Sequence, residues 1–320
     1  RVVRTLLQSG ANVSSAANVG STALLLSSRN GHLAVADMLV RAGAELEARL
    51  KSGFTSLHMA AKQGRLAIVR LLVEAGANPD TCLPSGEDAM YGAAFYGHAD
   101  VVKLLLSLGV KPARPVVQRC GETRVALDAA AEHGHRDVVR ELLQLGLETC
   151  GGRSLGADSV FLAARNGHIE VTAMLRDAGV VDTRSVALFN AANNGREEVV
   201  KFLLQQEWAT PGGKYVNNHD GAGGTALCYA IDAAYPRITR MLLDAGADET
   251  KACRLVHEST VVGPLKPLEF ALICLAGKKI PGEVVTEDQR HRLDAICRLL
   301  LRVDAVRAAS WLWSRNVPLI

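Results

Sequence analysis

Glycines recur along this chain at a nearly fixed interval, each one closing a short apolar stretch. Gly31, Gly64, Gly97, Gly134, Gly167 and Gly195 are separated by 33, 33, 37, 33 and 28 residues. An interval of this size, repeated, dictates a stack of similar small units rather than one closed core. Residues 55–79 (TSLHMAAKQGRLAIVRLLVEAGANP) show what one unit contains. Leu57, Ala60 and Ala61 fall on one face of a first helix, and Gly64 breaks it. Ile68, Val69, Leu71 and Leu72 form the stripe of a second helix, which Gly76 stops. One such pair cannot cover its own apolar faces, so it needs a similar pair on each side.

Copies of the unit follow in register: TALLLSSRNGH from Thr22, TSLHMAAKQGR from Thr55, DAMYGAAFYGH from Asp88, VALDAAAEHGH from Val125 and DSVFLAARNGH from Asp158. In spacing and apolar positions they resemble the ankyrin repeat family, well over residues 1–248 and poorly over 249–320. The resemblance implies an all-α solenoid of stacked helix–turn–helix units with short β-hairpin fingers between them. Residues 1–248 are read as repeats, the first truncated, and 249–320 as a degenerate last repeat with a C-terminal cap that carries Trp311 and Trp313. The opening at Arg1, inside what reads as a second helix, suggests a piece of a longer protein.

Departures from the repeat are specific. Ser56 stands where the family has Pro, a residue suited to the first turn because its missing N–H has no partner there anyway. Tyr91 and Asp128 occupy the position of His58, and Glu141 a position that is Leu or Met in most copies. The link between Gly179 and Val186 is short enough to omit a finger. Residues 208–224 and 249–265 read as long connections, and the polar stretch 273–292 as a loop between two helices.

Composition narrows the function. Apolar residues make up 48% of the chain but aromatics only 4%, as thin helix layers filled by Ala and Leu require. Net charge is +3, from 36 basic and 33 acidic residues, too weak and too mixed for a nucleic-acid stripe. Seven cysteines without a CxxC pair read as reduced thiols in an intracellular protein, cytoplasmic or nuclear. No apolar run approaches the ~18 residues needed to span a bilayer.

Catalytic signatures are weak. PGGKY at 211–215 lacks the Ser or Thr that a phosphate loop places after its Lys. His32, His98, His135 and His168 recur one unit apart, roughly 10 Å at helix-packing distance, too far for a shared metal. They are read as fixing their own turns, and His58 as ordering the loops between units. Asn217, Asn218, His219 and Asp220 are read as a solvated loop. No catalytic residue, metal ligand, cofactor or small-molecule substrate is expected.

The resemblance places a ligand on the concave side, at the fingers and the exposed ends of the first helices. Phe54, Phe95 and Tyr96 are the aromatics that register brings to that surface, and aromatics serve well as interface anchors. Lys51, Lys62, Glu87, Glu132, His133, Arg165 and Asn166 flank them. The alternative for Phe95 or Tyr96 is packing beside the long connection 111–122. The expectation is a non-catalytic scaffold that binds a partner protein or peptide. The alternative is a regulatory ankyrin part of a larger enzyme, receptor or channel.

Overall fold

Helix pairs and turns follow the sequence period closely. The computed structural model describes residues 1–112, 115–117, 123–144, 157–179, 185–206, 213–220, 223–251, 253–257, 260–275 and 286–303. The expected cap around Trp311 and Trp313 and the omitted finger at 180–184 lie outside them.

The chain divides into two compact units, Arg1–Ser159 and Val160–Ile320. The first holds α1 (Val2–Gln8), α2 (Ala23–Asn30), α3 (Leu33–Arg41), α4 (Ser56–Lys62), α5 (Leu66–Glu74), α6 (Ala89–Phe95), α7 (Ala99–Ser107), α8 (Ala126–Glu132) and α9 (Arg136–Leu143). A two-residue hairpin, β1 (Val116–Val117) with β2 (Thr123–Arg124), precedes α8. α10 (Ala157–Asn166) runs across the division. The second unit continues with α11 (Ile169–Asp177), α12 (Val186–Asn193), α13 (Glu197–Leu204), α14 (Ala226–Asp232), α15 (Pro236–Asp244), the hairpin β3 (Cys253–His257) and β4 (Thr260–Leu265), α16 (Pro267–Leu275) and α17 (Glu287–Val303).

Two rows of helices run through each unit. In the first unit α2, α4, α6 and α8 pack in sequence, and α3, α5, α7 and α9 form the second row. The first row is built on alanine: Ala60, Ala61, Ala93, Ala94, Ala130 and Ala131 are fully buried. Small side chains let first helices approach closely. The second row is built on branched residues, Ile68, Val69 and Leu72 in α5 and Val138, Val139 and Leu142 in α9. Each such side chain contributes about 1.5–3 kcal/mol on burial. Glu141, the polar residue in an apolar column, pairs across to Lys103 at 3.7 Å. In the second unit α12, α14 and α16 form one row and α11, α13, α15 and α17 the other.

The fingers are slighter than hairpins in most places. Single bridges join Ala16 to Thr22, Cys82 to Asp88 and His219 to Thr225. Neighbouring fingers are tied sideways, Lys51 N–H to Val19 C=O at 3.0 Å and Val117 N–H to Ser85 C=O at 2.9 Å.

Five sequence expectations change. Two of the recurrent histidines, His98 and His135, reach beyond their own turns. His98 Nε2 bonds the carbonyl of Lys62 at 3.1 Å and His135 Nε2 that of Phe95 at 2.9 Å, each reaching back one repeat to a helix end whose carbonyls lack intrahelical partners. Gly64 and Gly97 have positive φ, and a Cβ on either would sit 2.5 Å from the ring that reaches back over it. Of the loop read as solvated, Asn217 is buried, Asn218 and Asp220 are half-buried, and His219 is exposed. Asn217 Nδ2 donates to Gly246 C=O, its Oδ1 accepts Asp248 N–H, and its own carbonyl accepts Lys251 Nζ. Residues 249–265, read as a connection, carry the β3–β4 hairpin. Residues 287–292, read as loop, begin α17: Thr286 and Gln289 form a reciprocal cap, Glu287 and Asp288 sit favourably in the first turn, and Asp288 pairs with Arg292. Cys228 also departs from expectation, being disulfide-bonded, whereas Cys82 and Cys297 are free thiols.

Candidate functional site

Between the finger before α4 and the end of α6 lies a pocket of about 220 Å³. Local rules place each wall. The finger closes at Gly53, where Leu50 N–H bonds Phe54 C=O, and this turns the Phe54 ring toward α4. Thr55 then caps α4. The His58 N–H approaches Thr55 Oγ1 at 3.5 Å, and His58 Nδ1 faces Thr55 Oγ1 at 2.8 Å. Lys62 follows one turn later. From the next repeat, Asp88 caps α6 by accepting the Tyr91 N–H at 2.7 Å. Tyr91 and Phe95, one turn apart, continue the wall, and Gly92 between them keeps it open.

Five of the residues singled out from sequence line this pocket together: Phe54, Lys62, Glu87, Phe95 and Tyr96. The Lys62 ammonium sits 5.3 Å from the Phe54 ring centre and 5.1 Å from that of Tyr96. It thus bridges two aromatic faces, an attraction worth about 0.5–1 kcal/mol at exposed sites. Phe95 is the hinge of the group. Its ring lies 4.9 Å from Tyr96 and 4.1 Å from His133, and it packs on the buried cluster of Tyr91, Val116 and Ala129. Val116 belongs to the long connection, so Phe95 has a packing role there. Tyr96 is 46% exposed.

The remaining residues are placed differently. Lys51 is exposed at the finger tip and bonds its neighbour finger through the backbone. Glu132 lies 3.9 Å from Arg124. Arg165 and Asn166 end α10 in the second unit, where the Arg165 carbonyl accepts Arg196 Nε and Asn166 Nδ2 donates to Leu162 C=O. His58, Leu83, Asp88 and Tyr91 line the pocket as well, which register alone did not bring out. The glycine inside DAMYGAAF was the available signal, since a helix interior rarely spends a glycine without a packing reason.

Burial pulls the His58 pKa down to about 4, with the backbone carbonyl of Glu87 pulling the other way. The imidazole is therefore neutral at pH 7, and the charges at the pocket are those of Lys62, Glu87 and Asp88. With one cation, carboxylates and aromatic walls, the pocket can hold an apolar side chain and a polar neighbour. Among the described residues it presents no nucleophile held by a base.

Stacked helix–turn–helix units with turn glycines, a capped first helix and fingers between units define a repeat solenoid. Family profiles agree. One described as Ankyrin repeats (3 copies) matches residues 1–81 and 160–252, and one described as Ankyrin repeats (many copies) matches 57–106. The chain belongs to the ankyrin repeat family, whose repeats generally serve as protein–protein interaction modules. No curated protein matches it. Among the described residues no helix is long and apolar enough to cross a membrane.

Proposed function

We propose that the chain is a non-catalytic recognition module that holds a partner protein or peptide in the pocket between Phe54, Lys62, Phe95 and Tyr96. The observation that carries this is the half-open aromatic group itself. In a chain with only 4% aromatics, four converge on one surface pocket, with a lysine held between two of them. Phe95, braced by Tyr91 and Val116, is already ordered before docking, so contact energy goes into affinity rather than into fixing rotamers. Glu87 beside Lys62 gives the pocket mixed charge, which suits a peptide with one apolar side chain better than a polyanion.

Phe95 is too well packed to serve as a clean test. Phe95→Ala removes ring contacts to the core and costs more than a surface change. Tyr96→Ala touches an exposed ring, and surface substitutions stay within about 0.5 kcal/mol. Affinity purification with the wild-type chain and with Tyr96→Ala, at equal thermal stability, is the measurement. Partners retained by wild type and lost by Tyr96→Ala are expected. Identical partner sets would remove the pocket from the account.

A further inference from the structure

A second concavity, of about 300 Å³, lies in the second unit between second-row helices rather than among the fingers. Its floor is apolar: Pro236 from the first turn of α15, with Ala295 and Leu299 from the middle of α17. Three arginines rim it, Arg237 and Arg240 from α15 and Arg298 from α17. The spacing explains the arrangement. Arg237 and Arg240 are three apart and Ala295, Arg298 and Leu299 three and four apart, so each set shares one helix face.

Two of the arginines carry internal partners that are easily exchanged. Arg237 meets Glu197 at 3.4 Å with its side chain 80% exposed, and Arg298 meets Asp294 at 2.7 Å with its side chain 75% exposed. Ion pairs this exposed contribute little, so an incoming carboxylate replaces one at small cost. Arg240 is exposed and makes no ion pair among the described residues. Guanidinium groups suit carboxylates in particular, because their fork matches two oxygens at once.

We propose that this pocket takes an acidic peptide segment of a partner protein, independently of the aromatic pocket. A bulky apolar side chain of the segment rests on Pro236, Ala295 and Leu299. Its flanking Asp or Glu carboxylates meet Arg240 first, then Arg237 and Arg298. The apolar floor decides between a peptide and a nucleic acid. A phosphate backbone would engage the rim but leave the floor wet, whereas an apolar side chain fills it.

The test is selection from a random peptide-display library on the full chain. The best sequence is then synthesised with a fluorophore and titrated by anisotropy. The expected winners carry Leu or Phe flanked by Asp or Glu. Their affinity falls at least about tenfold on Arg240→Glu, falls on Leu299→Ala, weakens with added NaCl, and is unchanged on Tyr96→Ala. Circular dichroism melting of each variant separates lost binding from lost folding, and Arg240, being exposed, is the decisive position. The proposal is overturned if no acidic peptide emerges that depends on Arg240. It is equally overturned if a single-stranded oligonucleotide shows the stronger Arg240 dependence.

Discussion

The repeats that begin at Thr55 and Val125 sit two units apart in the same stack and enter their first helices by opposite acid–base routes. At Thr55 the N-cap hydroxyl and His58 satisfy each other, and burial keeps the imidazole neutral by drawing its pKa down to about 4. At Val125 there is no cap hydroxyl. Asp128, at the position of His58, accepts the Val125 N–H at 2.9 Å and the Ser159 hydroxyl at 2.5 Å. Burial pushes the Asp128 pKa up, while the Ser159 and Val125 bonds restrain the rise. This repeat position therefore holds a base in one unit and an acid in the other, and in both the side chain accepts the helix-entry N–H.

The comparison can be broken most forcefully in the layer the two repeats share. Leu72→Ala and Leu142→Ala both hollow a fully buried site and are expected to cost about 2–5 kcal/mol each in chemical denaturation. Similar losses would show that the second-row core is common ground. A loss confined to one repeat would mean that the repeats differ below the cap as well.

Acid titration sharpens the caps themselves. Unfolded imidazole, near 6.5, binds its proton more tightly than buried His58 at about 4. Stability from this site is therefore full above about pH 6.5 and drains away toward pH 4, by about 3 kcal/mol in total. Asp128 behaves in reverse. Its folded pKa is raised, so its contribution is present at low pH and declines as pH climbs through the folded value. Melting temperatures across this range should flatten on the acid side in His58→Gln, and lose the opposite slope in Asp128→Asn. Parallel curves for wild type and His58→Gln would contradict the assignment.

The smallest expected effect is a gain. Ser56 is fully buried, and its hydroxyl makes no hydrogen bond among the described residues. Ser56→Ala removes an unsatisfied polar atom without touching the Thr55–His58 cap, and a gain of up to about 1 kcal/mol is expected in the same denaturation assay. A loss would show that the hydroxyl has a role the Val125 repeat lacks.

Much of this was readable from the residues. Turn glycines recur because the chain needs positive φ at recurring points of a unit, as at Gly64, Gly76 and Gly86, and the Ala and Val/Leu rows recur because each row has its own thickness. Phe54, Lys62, Glu87, Phe95 and Tyr96 come together because register assigns them to two neighbouring fingers and two adjacent helix ends. What escaped had local disguises. Gly263 and Pro264 inside β4 argue against a strand, and only pairing with β3 supports it. TEDQ at 286–289 is a capping box, yet the polarity of the stretch read as loop. Asn217 looked solvent-bound because its partners at Gly246 and Asp248 are distant in sequence. The back-reaching histidines were visible as a pattern, but their targets lie a full repeat upstream.

That upstream reach has a corollary for anyone who would shuffle these units as cassettes. Gly64 fits under His98, Gly97 under His135, Gly167 under Arg196 and Gly195 under Tyr235. Each glycine is thus a socket shaped by a plug encoded in the following module. A graft that moves the socket without its plug exchanges a fitted joint for a mismatched one, so the transferable piece runs from one turn to the next rather than from finger to finger.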